Sequence, residues 1–194
     1  MRHATTDAVG KKLSGRTVGV HLNEQGREQA QQLAGRLHHL PIVAIYSSPM
    51  ERAVETADPV AKLLNLQTII CEDFVEMDFG EWTNLGFEEV RQQHQFQHFN
   101  SFRSSTRIPG GEGMLEAQAR MVAGLQKLGV RHPGETVAVV SHADLIKAAV
   151  TYFAGIHLDL FQRIEISPAS VSIIELYDET ARIMLVNDTG GINI

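Results

Sequence analysis

Four basic side chains stand where a parallel α/β sheet would place its ligand site. Arg52 follows the apolar run Ile42–Tyr46 in "YSSPMER", and His142 follows a second apolar run in "VVSHADL". Arg2 and His3, in "MRHATT", would join them if that segment also follows a strand. Ligands of such sheets bind outside the carboxyl ends of the strands. Because arginine suits phosphate oxygens and a helix start favours an anion, we expect a phosphate pocket there.

A histidine in such a pocket can take up a phosphoryl group as a covalent nucleophile. Its unperturbed pKa of about 6.5 leaves much of it neutral at physiological pH. A leaving alkoxide also needs a proton, and "FVEMDFGEW" offers Glu76, Asp78 and Glu81 as acids whose pKa a nearby phosphate dianion would raise. An alternating strand would put Glu76 and Asp78 on one face, so spacing alone leaves the choice open.

Helices and strands alternate in the first part of the chain. Apolar spacing predicts a helix over Gln25–His39, and Ile42–Tyr46 is a short buried strand. Pro49 is expected to open a helix that runs to about Leu64, since proline suits the first helical turn. The segment "QTIIC" is another short strand.

The remaining elements continue the alternation after an insertion. A helix is expected from Glu112 to about Leu128, then strand, tight turn and helix in "ETVAVVSHADLIKAAVTYFAG", then a hairpin through "YDET". The pattern predicts an α/β three-layer sandwich with a mostly parallel central sheet and helices on both faces. We expect one domain over residues 1–194.

Residues from about 74 to 113 are expected to form a helical and loop flap rather than part of the sheet. One helix is predicted from Gly86 to about Phe99, followed by a loop that ends at "IPGGEG". We interpret the flap aromatics as packing residues rather than substrate contacts: Phe87, Phe96, Phe99 and Phe102. Arg103 and Arg107 are interpreted as solvated loop charges.

Composition narrows the class of protein. The 194 residues are 43% hydrophobic and 21% charged, which is ordinary for a globular protein. The net charge of -6 gives no support for binding nucleic acid or an anionic membrane. No secretory signal or membrane-spanning run is present, so we expect a cytoplasmic protein. An exposed sheet edge would favour a homodimer.

Five motifs in order, "RHATT", "SSPMERAVETA", "VEMDFGEW", "PGGE" and "VVSHADLIKA", resemble those of the histidine phosphatase superfamily, with its phosphoglycerate mutase-like fold. The resemblance runs from Arg2 to about Ile174. The segment "EMDFGEW" and the short flap look more like the phosphatase branch than the mutases.

The resemblance implies a role for each matching residue. His3 matches the phosphorylated histidine, and Arg2 and Arg52 match the phosphate-clamping arginines. His142 matches the second histidine of the phosphate pocket. Glu76, which the resemblance favours over its neighbours, matches the proton donor that later activates water. The family implies neither a metal nor a cofactor.

Three further residues are expected to contact substrate. Ser14 and Gly15 stand in "LSGR", where the family has a "QG" or "TG" loop, and Ala143 directly follows His142. The chain departs from the family at Val9, where an asparagine that contacts phosphate is common. It departs again at Gly191, where a histidine is common.

The start of the sequence is a larger departure. In the family an apolar strand leads into the Arg-His pair, whereas only Met1 precedes it here. We expect that the natural protein begins upstream. If it begins at Met1, we expect His3 to be poorly positioned and activity to be low.

These observations predict a metal-independent phosphatase that hydrolyses a small phosphomonoester through a phosphohistidine on His3. Two alternatives stay open. A phosphoglycerate mutase would use the same pocket but return the phosphoryl group to the sugar acid. A binding protein without turnover would retain only the affinity for phosphate, as the short start and Val9 would favour.

Overall fold

The computed structural model describes residues 1–190. The strands are β1 (Ile42–Ser47), β2 (Thr68–Ile70), β3 (Thr136–Val140), β4 (Val171–Leu176) and β5 (Ala181–Asp188). The α-helices are α1 (Glu24–Leu37), α2 (Glu51–Leu63), α3 (Phe87–Val90), α4 (His94–Ser101), α5 (Met114–Arg131) and α6 (Ala143–Ala154). Short 3-10 helices occur at Glu72–Phe74, Gly80–Trp82 and Leu158–Arg163.

The central sheet has the order β2-β1-β3, and all three strands are parallel. Side chains along β1 alternate between two cores, with Tyr46 on one face and Ile45 on the other. Ile45 packs with residues of α1 and α2, while Tyr46 packs with residues of α5 and α6. The expected α/β sandwich, with helices on both faces of a parallel sheet, is therefore confirmed.

The first residues of the chain lie between β3 and the β4–β5 hairpin. The His3 N–H donates to the Ser141 carbonyl, and the Arg2 N–H donates to the Ser170 carbonyl. Arg2 forms a single parallel bridge with Ser141, the residue that follows β3. Met1 also lines a groove of about 1100 Å³, whose other walls are mainly apolar side chains of β3, β4 and α5. Arg2 and His3 thus lie at the carboxyl end of β3.

Several element boundaries differ from the sequence predictions. Met50 is the N-cap of α2, so Pro49 precedes that helix instead of opening it. Helix α1 begins at Glu24, because the Asn23 side chain accepts a hydrogen bond from the Gly26 N–H. The hairpin through "YDET" is present, with β4 and β5 antiparallel.

The single helix predicted for the flap is wrong. Helices α3 and α4 are separate, and a turn at residues 91–93 divides them. Val90, Phe96 and Phe99 are all buried in one core. At about 100° per residue, a continuous helix would place Phe99 on the side opposite Val90. The break lets all three side chains pack against the same core.

The interpretation of Arg103 as a solvated charge is also wrong. Arg103 is only 4% exposed, and its guanidinium lies between the rings of Phe99 and Phe161. Arg107, in contrast, is exposed and pairs with Glu116.

No helix formed by residues 1–190 combines the length and the apolar character needed to span a bilayer.

Gly26 allows the segment after His3 to pass directly over α1. A Cβ atom at Gly26 would lie 2.0 Å from the Thr5 carbonyl oxygen, which is a backbone atom. The same segment is held by the Thr5 N–H, which donates to the Gln29 side chain at 2.9 Å. The position of residues 4–6 therefore depends on a glycine in α1.

We expect Gly26→Ala to lower the free energy of unfolding by about 2 kcal/mol or more, because the methyl group must displace backbone. Gly35→Ala is the matched control in the same helix, where a Cβ would meet nothing within 4 Å. That control should gain about 0.5–1 kcal/mol from helix propensity. Urea denaturation of both variants measures the difference, and equal midpoints would refute the close approach.

Candidate active site

His3 lies at the carboxyl end of β3 and is 5% exposed. Its Nδ1 is 2.8 Å from the Ala4 carbonyl oxygen. Because a carbonyl only accepts, Nδ1 carries the proton and the lone pair of the neutral ring lies on Nε2. Burial, with the charges of Arg52 and Arg2, lowers the pKa of His3 to about 3. The ring is therefore neutral and nucleophilic at physiological pH.

His142 is the N-cap residue of α6 and is fully buried. The centroids of the His3 and His142 rings are 5.2 Å apart. The His142 Nε2 shares a hydrogen bond of 2.8 Å with the Ser48 hydroxyl. Burial is the main cause that lowers the pKa of His142 well below its usual value, and the nearby Arg52 charge adds to it.

Arg52, in the first turn of α2, is 2% exposed. Its Nη2 donates to the Gly15 carbonyl at 2.8 Å and approaches the His142 Nδ1 at 3.4 Å. Its Nη1 is buried and has no partner within residues 1–190. Arg2 is held by a bond from Nη1 to the Ile166 carbonyl, and its buried Nε likewise lacks a partner in this part of the chain. Both guanidinium groups thus keep a donor for an anion.

Glu76 reaches the same pocket from the start of the flap. Its Oε2 lies 3.5 Å from the His142 Nδ1, and its Oε1 accepts a hydrogen bond from the Met77 N–H. The pKa of Glu76 is raised to about 7, chiefly by burial and also by the Asp144 charge, while the Arg52 charge opposes the shift. A carboxyl group with this pKa is poised to exchange a proton near neutral pH.

Asp78 and Glu81, the other two candidate proton donors, have surroundings that differ from those of Glu76. The segment around Glu76 is irregular, so the alternation expected of a strand does not apply. The Asp78 side chain accepts from the Gly80 N–H at 2.9 Å and holds a turn, while Glu81 is exposed.

A charged network outside the pocket fixes the backbone of Glu76. The Arg16 Nε donates to the Glu76 carbonyl at 2.8 Å, and Arg120 donates to the Val75 carbonyl at 2.9 Å. Both arginines also donate to Glu112, the glutamate of "PGGE". The Glu112 N–H donates to the Asp78 carbonyl as well. Glu112, which follows Gly110 and Gly111, thus holds the two arginines that contact the backbone around Glu76.

Of the three residues expected to contact substrate, Ser14 and Gly15 lie in the loop that contacts Arg52, and Ala143 lies at the start of α6. Gly15, at a φ of 50°, directs its carbonyl to Arg52 and is buried. Ser14 is half-buried beside it, and Ala143 is the first residue of α6, where backbone N–H groups are free. Val9 lies in a turn with no polar side chain to offer. Gly191 falls outside the described residues.

Two positioning residues were missed by the sequence analysis. Thr56 accepts a hydrogen bond from the Ala4 N–H at 2.9 Å and donates to the Arg52 carbonyl at 2.7 Å. Ser48 holds the ring of His142. Both belong to the motif "SSPMERAVETA", but nothing in its spacing distinguished them from surface hydroxyls.

Within residues 1–190, no three His, Cys, Asp or Glu side chains group as a metal site requires. Independence from metals stays a prediction.

The arrangement combines a neutral imidazole lone pair, two arginine donors without partners and a carboxyl group with a raised pKa. The sequence model of the histidine phosphatase superfamily (branch 1) matches residues 1–189. The chain belongs to this superfamily.

Relatives and solved structures agree with that assignment. A Mycobacterium tuberculosis protein named as bifunctional is 34% identical over 194 residues, 98% of this chain and 53% of that protein. This chain thus spans about half the length of the first curated relatives it matches. Phosphoserine phosphatase 1 of Hydrogenobacter thermophilus is 31% identical and covers 87% of this chain and 81% of itself. Bacillus stearothermophilus YhfR superposes with a TM-score of 0.90 at 30% identity, covering 96% and 94% of the two chains.

We expect the stability of Glu76→Gln, relative to the unmodified chain, to rise with pH. The folded pKa of about 7 exceeds the usual value of 4.5, so folding is increasingly penalised as pH rises through this interval. Between pH 5.5 and 8.5 the difference in free energy of unfolding should shift by about 2 kcal/mol in favour of the variant. Urea denaturation at both pH values measures it, and parallel pH profiles would contradict the raised pKa.

Proposed function

We propose that this protein is a metal-independent phosphatase that hydrolyses a small phosphomonoester through a phosphohistidine on His3. The observation that carries the proposal is that the neutral His3 shares its pocket with Arg52, whose charge acts on it and whose buried Nη1 lacks a partner in residues 1–190. A phosphoryl group bound by Arg52 and Arg2 would lie beside the nucleophile, and its charge would offset the burial of both cations.

In the first step the His3 Nε2 lone pair attacks phosphorus and forms a P–N bond. The ester P–O bond breaks, and the leaving oxygen takes the proton of Glu76. Arg2, Arg52 and the N–H groups at the start of α6 stabilise the equatorial oxygens as charge redistributes.

In the second step the ionised Glu76 takes a proton from water, whose oxygen attacks phosphorus. The P–N bond breaks, its electron pair returns to the His3 Nε2, and inorganic phosphate leaves. Glu76 recovers its proton in this step, so one carboxyl group acts first as acid and then as base. A pKa near the working pH suits both roles.

A relative named as a phosphatase supports hydrolysis, while another relative is named as phosphoglycerate mutase-like. One relative is named as a phosphoserine phosphatase, and this chain covers most of its length. We therefore extend phosphatase activity to this chain. We further propose a small phosphorylated metabolite as the substrate and the cytoplasm as the location.

His3→Ala should abolish the hydrolysis of p-nitrophenyl phosphate measured with EDTA present. The other imidazole of the pocket, His142, cannot replace it, because Ser48 engages its Nε2 and Arg52 and Glu76 lie against its Nδ1. His21→Ala is the matched control, since His21 is exposed and pairs with Glu55 outside the pocket. The control should keep the activity of the unmodified chain.

Two outcomes would contradict this proposal. Turnover that survives His3→Ala would exclude the phosphohistidine. Conversion of 3-phosphoglycerate to 2-phosphoglycerate without release of phosphate would replace the phosphatase by a mutase.

Glu76→Gln should separate the two chemical steps. p-Nitrophenolate needs little protonation to leave, so a rapid burst of p-nitrophenol equal to the enzyme concentration should survive. Steady-state turnover should fall by about 10²–10⁴-fold, because water then lacks its general base. Stopped-flow absorbance measures both phases, and full steady-state turnover would remove Glu76 from the mechanism.

A further inference from the structure

The position of a single ring proton decides what His142 offers to a phosphoryl group. Burial, with the charge of Arg52, lowers the pKa of His142 well below its usual value, so the ring is neutral at physiological pH. A neutral imidazole carries one N–H donor and one lone pair, on different nitrogens. Nδ1 faces the phosphate pocket, with the Arg52 Nη2 at 3.4 Å and the Glu76 Oε2 at 3.5 Å, while Nε2 faces Ser48. The tautomer therefore determines whether the pocket receives a donor or a lone pair.

Ser48 is fixed in place where two strands end at the pocket. It follows β1 directly and is fully buried. Its N–H donates to the Val140 carbonyl at 2.9 Å, at the end of β3 and two residues before His142. Its Oγ accepts a hydrogen bond from the Met50 N–H at 3.3 Å and lies 2.8 Å from the His142 Nε2. Backbone contacts to two elements thus hold the hydroxyl against the ring.

The hydrogen bonds of Ser48 favour one direction for its contact with His142. A hydroxyl has one proton to donate, and within residues 1–190 the His142 Nε2 is the only acceptor that the Ser48 hydroxyl reaches. If Nε2 carried the ring proton, Oγ would accept from both Nε2 and Met50, and the buried O–H would have no acceptor. A buried donor without an acceptor is costly. The contact is fully satisfied only if Ser48 donates to Nε2, which puts the ring proton on Nδ1.

The surroundings of Nδ1 agree with that direction. In the alternative tautomer the Arg52 Nη2 gives Nδ1 little at 3.4 Å, since this nitrogen already donates to the Gly15 carbonyl at 2.8 Å. With the proton on Nδ1, the ionised Glu76 carboxylate at 3.5 Å attracts it. An oxygen of a bound phosphoryl group would accept from Nδ1 and Arg52 together, whereas a lone pair on Nδ1 would repel that oxygen.

We propose that Ser48 is a positioning residue that holds the proton of His142 on Nδ1, so that His142 donates a hydrogen bond to the transferring phosphoryl group. His142 and the buried Nη1 of Arg52 then supply two fixed donors to the phosphoryl oxygens as charge builds on them. Ser48 itself touches neither substrate nor nucleophile. This inference rests on the proposed function, since it names a residue that prepares the same site.

Nitrogen NMR of the unmodified chain, with isotopically labelled histidine, tests the tautomer directly. Protonated and unprotonated ring nitrogens differ widely in chemical shift, and the spectrum of His142→Gln identifies the signals of His142 by their loss. We expect a protonated Nδ1 and an unprotonated Nε2 near neutral pH, before any anion is added. A proton on Nε2 would overturn the inference.

Ser48→Ala should lower kcat for p-nitrophenyl phosphate by about 10–100-fold, the range known for residues that orient metal-ligating histidines. In this variant the two nitrogens of His142 should give averaged signals, because no close partner then fixes the proton. Ser48→Thr keeps the hydroxyl and should restore most of the activity and the single tautomer. Ser47→Ala is the matched control, since Ser47 is equally buried and its hydroxyl donates to the Ser48 carbonyl rather than to His142. The control should keep the activity of the unmodified chain.

Binding of inorganic phosphate separates failure of the inference from failure of the proposed function. Calorimetry gives its Kd for the unmodified chain, Ser48→Ala and Ser48→Thr without any turnover. The Kd should rise by about tenfold in Ser48→Ala alone, because a donor to a charged oxygen is weakened. That rise, with Nδ1 protonated but no phosphate released from any ester, would support the role of Ser48 and refute the phosphatase. An unchanged Kd and kcat in Ser48→Ala would overturn the inference.

Discussion

The constraint on which this structure depends is the burial of cations whose N–H groups lack acceptors within residues 1–190. Arg52 is 2% exposed with a spare Nη1, and Arg2 has a spare buried Nε. An uncompensated buried charge costs several kcal/mol, so such a pocket persists only where the surrounding fold over-determines it. A phosphate dianion would supply the missing acceptors, which makes the unfavourable burial a source of affinity and of orientation.

The surrounding fold meets that requirement through the backbone. Thr56 joins the Arg52 carbonyl to the N–H of Ala4, so that one hydroxyl links Arg52 to the residue next to His3. The Ser141 carbonyl, at the end of β3, accepts a hydrogen bond from the His3 N–H. On the flap side, Glu112 is held by two arginines that also bind carbonyls around Glu76. Each reactive side chain is therefore positioned by main-chain atoms of more than one element.

Sequence reasoning predicted that Arg52 and His142 come together, because the topology of a parallel sheet fixes where strand ends lie. Arg52 and His142 follow β1 and β3, and adjacent parallel strands bring their carboxyl ends together. It left a choice open, or was wrong, where contacts distant in sequence decide the outcome. Glu76 differs from Asp78 because a charged network imposes an irregular backbone, which no local pattern reveals. Arg103 is buried because two aromatic rings from separate segments enclose it.

One physical cause, the removal of water, prepares both reactive groups of the pocket. Desolvation disfavours the charged form of any group, so it lowers the pKa of His3 and raises that of Glu76. The imidazole is thereby kept as a free base while the carboxyl group keeps its proton in the same pH range. His142 lies next to both groups. Because one environment shifts these two pKa values in opposite directions, it produces both a base and an acid without a separate cause for each. A substitution that admitted water would weaken both at once, so residues that seal the pocket matter to the chemistry without touching the substrate.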